Sequence, residues 1–230
     1  MKYTLFAVLV ASAPLADSAY ADSLQAALTR AAPDANPHVI ALALRAAECR
    51  KTPFQPLARR LAVIDYSLPS TEQRLWVFDL QRKTLLFHEL VAHGRSSGEN
   101  MASQFSNQNE SMATSLGLYR TKATYLGHNG YSLRMDGLEP GFNDNAFDRD
   151  IVIHGAPYVS EGFARSNGRI GRSLGCPAVR PEIAHKLIDS MKNGQLLFSY
   201  YPDPQWLSES SFINCSAGMT AGNQPVNKRR

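Results

Sequence analysis

The sequence predicts a mainly β fold: a short-stranded barrel or sandwich, with one helix near its C-terminal end and a helical extension ahead of it. Three observations carry this. From Leu61 onwards, short runs rich in β-branched and aromatic residues alternate with turn chemistry. Before them, residues 23–50 carry apolar residues at helical spacing. After them, 181–191 (PEIAHKLIDSM) is amphipathic and has proline at its first position. Many short strands with frequent turns resolve into a closed barrel or a sandwich.

The elements follow in order. The segment 5–13 (LFAVLVASA) is apolar, follows Lys2, and leads to the small-x-small site Ala19-Tyr20-Ala21. This is the pattern of a cleaved secretory signal over 1–21, the alternative being a buried N-terminal helix. The run is too short to span a bilayer, and no later stretch is long and apolar enough. A helical extension is expected over 22–58, with Asp22 or Ser23 capping a first helix. Pro33 and Pro37 interrupt it, because proline lacks the amide proton a helix interior needs. The second helix is expected at 38–50 (HVIALALRAAECR).

A main domain over 59–201 then opens with three strands, LAVIDYSL, RLWVFDL and TLLFHELVAHG, the last two joined through Gln81-Arg82-Lys83. A polar loop over 94–114 is about 20 residues long, and loops of that length inside a compact domain tend to be functional or disordered. SLGLYRT, GYSLRM and DIVIH are three more strands, and QLLFSYY is the last. From 202 to 230 the chain reads as a polar, irregular tail.

Composition excludes several functions. The chain has 230 residues and a formal charge of +4, with 44% hydrophobic and 19% charged residues. This suits one domain with extensions. No Lys/Arg run is interleaved with aromatics, so nothing points to nucleic acid. His88 and His93 fall five apart on one expected strand and so face opposite sides, which argues against a shared metal. His128 sits in an expected turn that could approach a cleft, and His185 on the last expected helix is solvated. No carboxylate stands at metal-ligand spacing from these histidines, so neither a metal nor another cofactor is expected.

Two segments carry chemistry. In IVIHGA, His154 ends an apolar strand and Gly155 permits a sharp exit. In GRSLGCPAV, Cys176 lies in a glycine-containing turn just ahead of the 181–191 helix. An imidazole beside a thiol can take its proton and make a nucleophile. Consecutive amides around Leu174, Gly175 and Cys176 could bind the oxyanion formed on attack at a carbonyl. A third group must orient the imidazole. Three cysteines in an exported chain leave one unpaired. The surroundings of Cys176 mark it as the free thiol, so a Cys49–Cys215 disulfide is expected; the alternative is two free buried thiols.

The chain from about Ala62 to Tyr200 resembles the catalytic domain of murein L,D-transpeptidases, in the branch with HGA and GRS-x-GCPAV motifs. That family's signature is a histidine followed, after a spacer, by Ser/Thr-His-Gly-Cys, and here 18 residues separate His154 from Ser173. IDYS, FSN, GYSLRMDGLEPGFND and IVIHGAPYVSEGF extend the likeness. The resemblance implies a cysteine-dependent enzyme of the bacterial envelope acting on peptidoglycan stem peptides. Cys176 would be the nucleophile and His154 its base. The Gly155 carbonyl would orient His154, Ser173 would shape the turn, and Leu174 and Gly175 would contribute to the oxyanion hole. Tyr119, in the segment leading to the cleft, and Arg172 or Arg180 would contact substrate, an arginine holding a stem carboxylate.

Two departures stand out. Leu174 replaces the histidine of the signature, and Ala178 stands where many relatives carry Arg or Asn. The reaction implied is acyl transfer from a tetrapeptide stem to an amine. Hydrolysis as an L,D-carboxypeptidase and a non-catalytic peptidoglycan-binding module are the alternatives. A general cysteine protease would need a deep peptide groove that nothing in the sequence indicates.

Overall fold

Alternation explains the two cores of the fold. The computed structural model describes residues 15–50 and 58–215. Residues 1–14 of the signal expected over 1–21 and the part of the expected tail beyond 215 lie outside the described residues, as does 51–57 within the expected extension.

Strand β1 (Arg60–Asp65) is buried along nearly its whole length. Its odd-numbered residues Leu61 and Val63 face one apolar core, and its even-numbered Ala62 and Ile64 face another. Successive side chains on a strand point to opposite faces, so a strand buried on both must be apolar at every position. β2 (Leu75–Asp79) follows the same rule: Trp76 and Phe78 join the first core, Leu75 and Val77 the second.

Two helices cover the first core. α1 (Leu15–Ala31) and α2 (Pro37–Cys49) pack through Leu24, Leu28, Val39, Ile40 and Leu44. Asn36 caps α2 by accepting from the His38 amide at 2.9 Å, with proline at the first helical position. The break at Pro33 and Pro37 falls where the sequence places it. The start of α1 does not: the backbone is already helical at Leu15, ahead of the expected cap at Asp22 or Ser23. A disulfide joins Cys49, at the end of α2, to Cys215.

The remaining strands are β3 (Thr84–Glu89), β4 (Val91–Ala92), β5 (Gly117–Gly127), β6 (Gly130–Gly137), β7 (Val152–Gly155), β8 (Ala178–Val179) and β9 (Leu196–Tyr200). They form one sheet in the order β3-β2-β1-β9-β5-β6-β7-β8-β4. β1 pairs parallel with β9 and β7 parallel with β8; the other pairs are antiparallel.

The single strand expected over 84–94 is two strands, at opposite ends of this order and separated by Leu90 alone. The chain therefore bridges the sheet's two edges, and the sheet curls into a nearly closed barrel, which removes most of the edge-strand liability. The second core fills its interior, together with Leu187, Ile188 and Met191 of α4 (Pro181–Met191).

Two further helices are absent from the sequence reading. α3 (Glu161–Asn167) is capped by Ser160, which accepts from the Phe163 amide at 3.1 Å, and α5 (Pro204–Glu209) is capped by Asp203, which accepts from the Trp206 amide at 2.8 Å. α5 belongs to the segment expected to be irregular. It is held because Trp206 is fully buried and its indole donates to Glu139 at 2.9 Å. Losing such a tryptophan costs about 3–5 kcal/mol.

Candidate active site

The register of β6, β7 and β8 sets the site. Ser132 of β6 lies opposite His154 of β7, and His154 lies beside Ala178 of β8. Cys176 is two residues ahead of Ala178, and its sulfur accepts a hydrogen bond from the Val152 amide at 3.4 Å. Val152 is in turn two residues ahead of His154. The imidazole is thus carried by β7, and the thiol by the turn that leads into the neighbouring strand β8. Both residues are buried, Cys176 at 8% exposure and His154 at 4%.

His154 Nδ1 lies 3.0 Å from the Gly155 carbonyl oxygen. A carbonyl only accepts, so Nδ1 carries the proton and donates it, leaving the Nε2 lone pair available. Burial pushes the imidazole below its ordinary value, and the bond to Gly155 opposes this. The imidazole is therefore neutral at neutral pH.

A lowered Cys176 pKa follows from a bare Cys–His pair, yet burial pushes this thiol up. The Val152 amide and the Arg149 guanidinium pull it back down, while the Asp150 carboxylate pushes it up further. The thiol also donates to the Asp150 carbonyl at 3.6 Å. Asp150 adopts a left-handed φ of 51°, unusual for a residue with a side chain, and this conformation belongs to the segment that seats the sulfur.

The turn that carries Cys176 is built from its own polar groups. Ser173 Oγ donates to the Cys176 carbonyl at 2.6 Å and accepts from the Gly175 amide at 3.1 Å. The Gly175 amide is thereby engaged, which takes it out of the expected oxyanion set and leaves the Leu174 and Cys176 amides as candidates. Gly175 has φ 125°, and a Cβ there would meet the Ala113 carbonyl and Ile151 at 2.9 Å. Only glycine suits both conditions. Leu174 is 63% exposed at the tip of the turn. Ala178 packs with Leu90, Ala92, Ala156, Val159 and Ile170, so the long polar residue common in relatives would be desolvated here.

The long loop is the second wall of this turn. Gly94 bridges to Ser173; the Arg95 amide donates to the Ser173 carbonyl at 2.8 Å, and the Ser173 amide to the His93 carbonyl at 3.0 Å. Thr114 Oγ1 accepts from the Gly94 amide and donates to the Gly175 carbonyl.

Three expected substrate contacts have partners within the protein. Tyr119 is buried, donates to the Ser115 carbonyl at 2.9 Å, and lines a cavity of about 10 Å³ behind the turn, so it presents no surface to a substrate. Arg180 is held by Glu89 through two hydrogen bonds of 2.8 and 2.9 Å. Arg172 donates to Glu99 at 2.8 Å and to the carbonyls of Gly98 and Arg95. Bidentate or multiple partners of this kind occupy an arginine.

His88 and His93 sit on either side of the strand break. His88 stacks on Trp76 and His93 meets the buried Arg74, Nη2 to Nδ1 2.7 Å. His128 occupies the two-residue turn between β5 and β6, and His185 pairs with Asp189 on α4 while stacking on Tyr131. Among the described residues no group of His, Cys, Asp and Glu is arranged to hold a metal.

Sequence reasoning missed Arg149, Asp150 and Thr114. The first two had a signal, since they immediately precede the IVIHGA strand. Thr114 had none, because its role depends on how the loop folds back.

A nearly closed barrel with an imidazole on one strand and a thiol in the turn leading into the next defines a class of β-barrel domains built around such a pair. The family of the L,D-transpeptidase catalytic domain matches residues 31–200, and the chain belongs to it. Among solved structures the chain is similar to an L,D-transpeptidase from Mycobacterium smegmatis, at 15% identity and a TM-score of 0.40, covering 64% of this chain and 61% of that one. An L,D-transpeptidase from Mycobacterium tuberculosis is similar at 14% identity and a TM-score of 0.38, over 64% and 60% of the two chains. One from Stackebrandtia nassauensis is similar at 16% and 0.37, over 80% and 92%. The chain thus spans about three fifths of the length of the first two. Membership rests on the family match, to which superpositions this loose add nothing. A search of curated proteins finds no match.

Proposed function

We propose that the chain is an exported, cysteine-dependent peptidoglycan L,D-transpeptidase. The observation that carries this, alongside family membership, is that the Cys176 thiol bonds the Val152 amide of β7 from the turn ahead of β8, while His154 of that same β7 has its Nδ1–H held by Gly155. Oriented this way, His154 Nε2 is left as the base for the thiol.

In the first half-reaction His154 Nε2 takes the thiol proton. The sulfur attacks the carbonyl of the third residue of a tetrapeptide stem. The tetrahedral oxyanion is held by the Leu174 and Cys176 amides. The C–N bond to the terminal D-Ala breaks, and the imidazolium protonates the leaving amine, giving a Cys176 thioester. In the second half an acceptor amine from another stem attacks the thioester, His154 takes its proton, and the thiol is released. Water in place of the amine makes the same chain an L,D-carboxypeptidase. The signal over 1–21 would deliver the enzyme to the periplasm or cell envelope, where the substrate is.

Mass spectrometry of muropeptides incubated with wild type and with Cys176→Ala tests this reading. Wild type is expected to form 3–3 cross-linked dimers and release D-Ala, and Cys176→Ala neither. Tripeptide alone would make the chain a carboxypeptidase. Products from Cys176→Ala equal to wild type would overturn the mechanism, and binding to sacculi without turnover would leave a non-catalytic module. The family resemblance further implies that a carbapenem acylates Cys176, which intact-mass measurement reads as an adduct on wild type and none on the variant.

A further inference from the structure

Behind the nucleophile's turn stands a cation that pairs with no acid among the described residues. Arg149 donates to the Ser106 carbonyl at 2.7 Å, Ser115 Oγ at 2.5 Å, Ser111 Oγ at 3.0 Å and the Ala113 carbonyl at 2.7 Å. All four acceptors are neutral. The neighbouring carboxylate of Asp150 is taken by Arg134, at 3.4 Å. The guanidinium also lies against the turn itself: a Cβ built on Gly175 would be 3.4 Å from Arg149 Nη2. The Ala113 carbonyl that accepts from Arg149 is the same one that would crowd that Cβ, at 2.9 Å.

A half-buried guanidinium usually meets a carboxylate, because desolvating an uncompensated charge is costly. Here hydrogen bonds from neutral oxygens fix the group, yet they leave its net charge whole. We propose that Arg149 is the positioning residue for the Cys176 thiolate, its uncompensated charge set behind the turn to receive the negative charge that forms on sulfur. The proposal deepens the reading of Cys176 as nucleophile and rests on it.

The groups that face the sulfur agree with this. From the 146–151 segment come Arg149 and the opposing Asp150 carboxylate; from the segments after β1 and β7 come the hydroxyls of Tyr66 and Tyr158, both raised by burial and by the sulfur's charge; neutral His154 stands on β7, beside the strand that follows Cys176. Arg149 is the guanidinium that acts on the thiol directly, and the influence is mutual: burial lowers the Arg149 pKa while the Cys176 charge raises it. A like attraction between full charges in a partly buried site is worth on the order of one pKa unit.

The test is the pH profile of Cys176 alkylation by iodoacetamide in the full chain, for wild type, Arg149→Gln and Arg149→Lys, with Cys176→Ala as the labelling blank. Arg149→Gln is expected to raise the midpoint and slow alkylation about tenfold at neutral pH. Arg149→Lys keeps the charge while losing most of the four hydrogen bonds. It is expected to keep the midpoint near wild type even if it melts earlier. Equal midpoints in wild type and Arg149→Gln would overturn the proposal. So would Arg149→Lys matching Arg149→Gln, which is the outcome if Arg149 only ties the loop down. Alkylation needs no turnover, so these results stand apart from whether Cys176→Ala abolishes muropeptide products.

Discussion

Acid should loosen the site from the side of His93. This histidine is buried, and Arg74, itself fully buried, donates to its Nδ1 at 2.7 Å. Arginine has no acceptor, so Nδ1 must carry the lone pair and Nε2 the proton, which points at the Gly98 carbonyl at 3.3 Å. Protonating Nδ1 would set a second cation against the guanidinium. Burial, then the Arg74 charge, push His93 from its ordinary 6.5 down to about 4.

The sign follows directly. Below pH 6.5 the unfolded chain binds a proton that the folded chain refuses, so stability is full above 6.5 and falls as pH drops towards 4. At pH 4.5 the loss from this one group is about 2–3 kcal/mol. Urea unfolding at pH 7.5 and 4.5 measures it. His93→Asn keeps an acceptor for Arg74 and removes the titration. Its stability should fall less between the two pH values, by that same 2–3 kcal/mol. A wild-type and variant difference that does not change with pH would refute the reasoning. Because the His93 carbonyl accepts from the Ser173 amide at 3.0 Å, the same variant reports whether this packing supports the nucleophile's turn.

Three further outcomes follow from named contacts. Gly175→Ala must place a Cβ at 2.9 Å from the Ala113 carbonyl with φ at 125°, so a loss of about 1–3 kcal/mol is expected by thermal melt, with turnover falling further than stability. Arg180→Ala breaks the bidentate pair with the buried Glu89; it should lower the melting temperature and leave KM for muropeptides unchanged, whereas a raised KM at unchanged stability would return Arg180 to substrate binding. Reducing the Cys49–Cys215 disulfide, which spans 166 residues, should cost about 2–4 kcal/mol in urea unfolding; an unchanged midpoint after verified reduction would count against a structural role.

Most of the barrel was legible because its strands bury both faces or alternate strictly, and each pattern has its own sequence signature. The break at Leu90 was not. TLLFHELVAHG reads as one apolar run, and only closure of the sheet makes its halves belong to opposite edges. The extent of β5 was hidden by a register shift between Thr121 and Thr124, which interrupts the alternation. α5 is a one-anchor element, and a lone tryptophan in a polar tail carries no periodicity. At the site, His154 and Cys176 were readable because strand end, glycine and thiol lie within short motifs. The engagement of Arg172 and Arg180 was not, because their acids, Glu99 and Glu89, are 73 and 91 residues away in sequence. Long-range pairing of charges leaves no local mark.

The resting charge state of the pair follows from the same geometry. A free thiol at 9.0 and a free imidazole at 6.5 already favour the neutral pair, and burial moves the two values further apart. Forming thiolate and imidazolium from ordinary values costs about 3 kcal/mol before any attraction between them. The ground state is thus a neutral thiol bonded to the Asp150 carbonyl and the Val152 amide, beside a neutral imidazole. Proton transfer then has to accompany attack on the substrate, and groups that meet the sulfur's charge act on the barrier rather than on the resting enzyme. A neutral thiol at 8% exposure also reacts slowly with oxidants and disulfides. Burial that costs the nucleophile ionisation therefore protects it, and lets one free cysteine persist in a chain whose other two are joined.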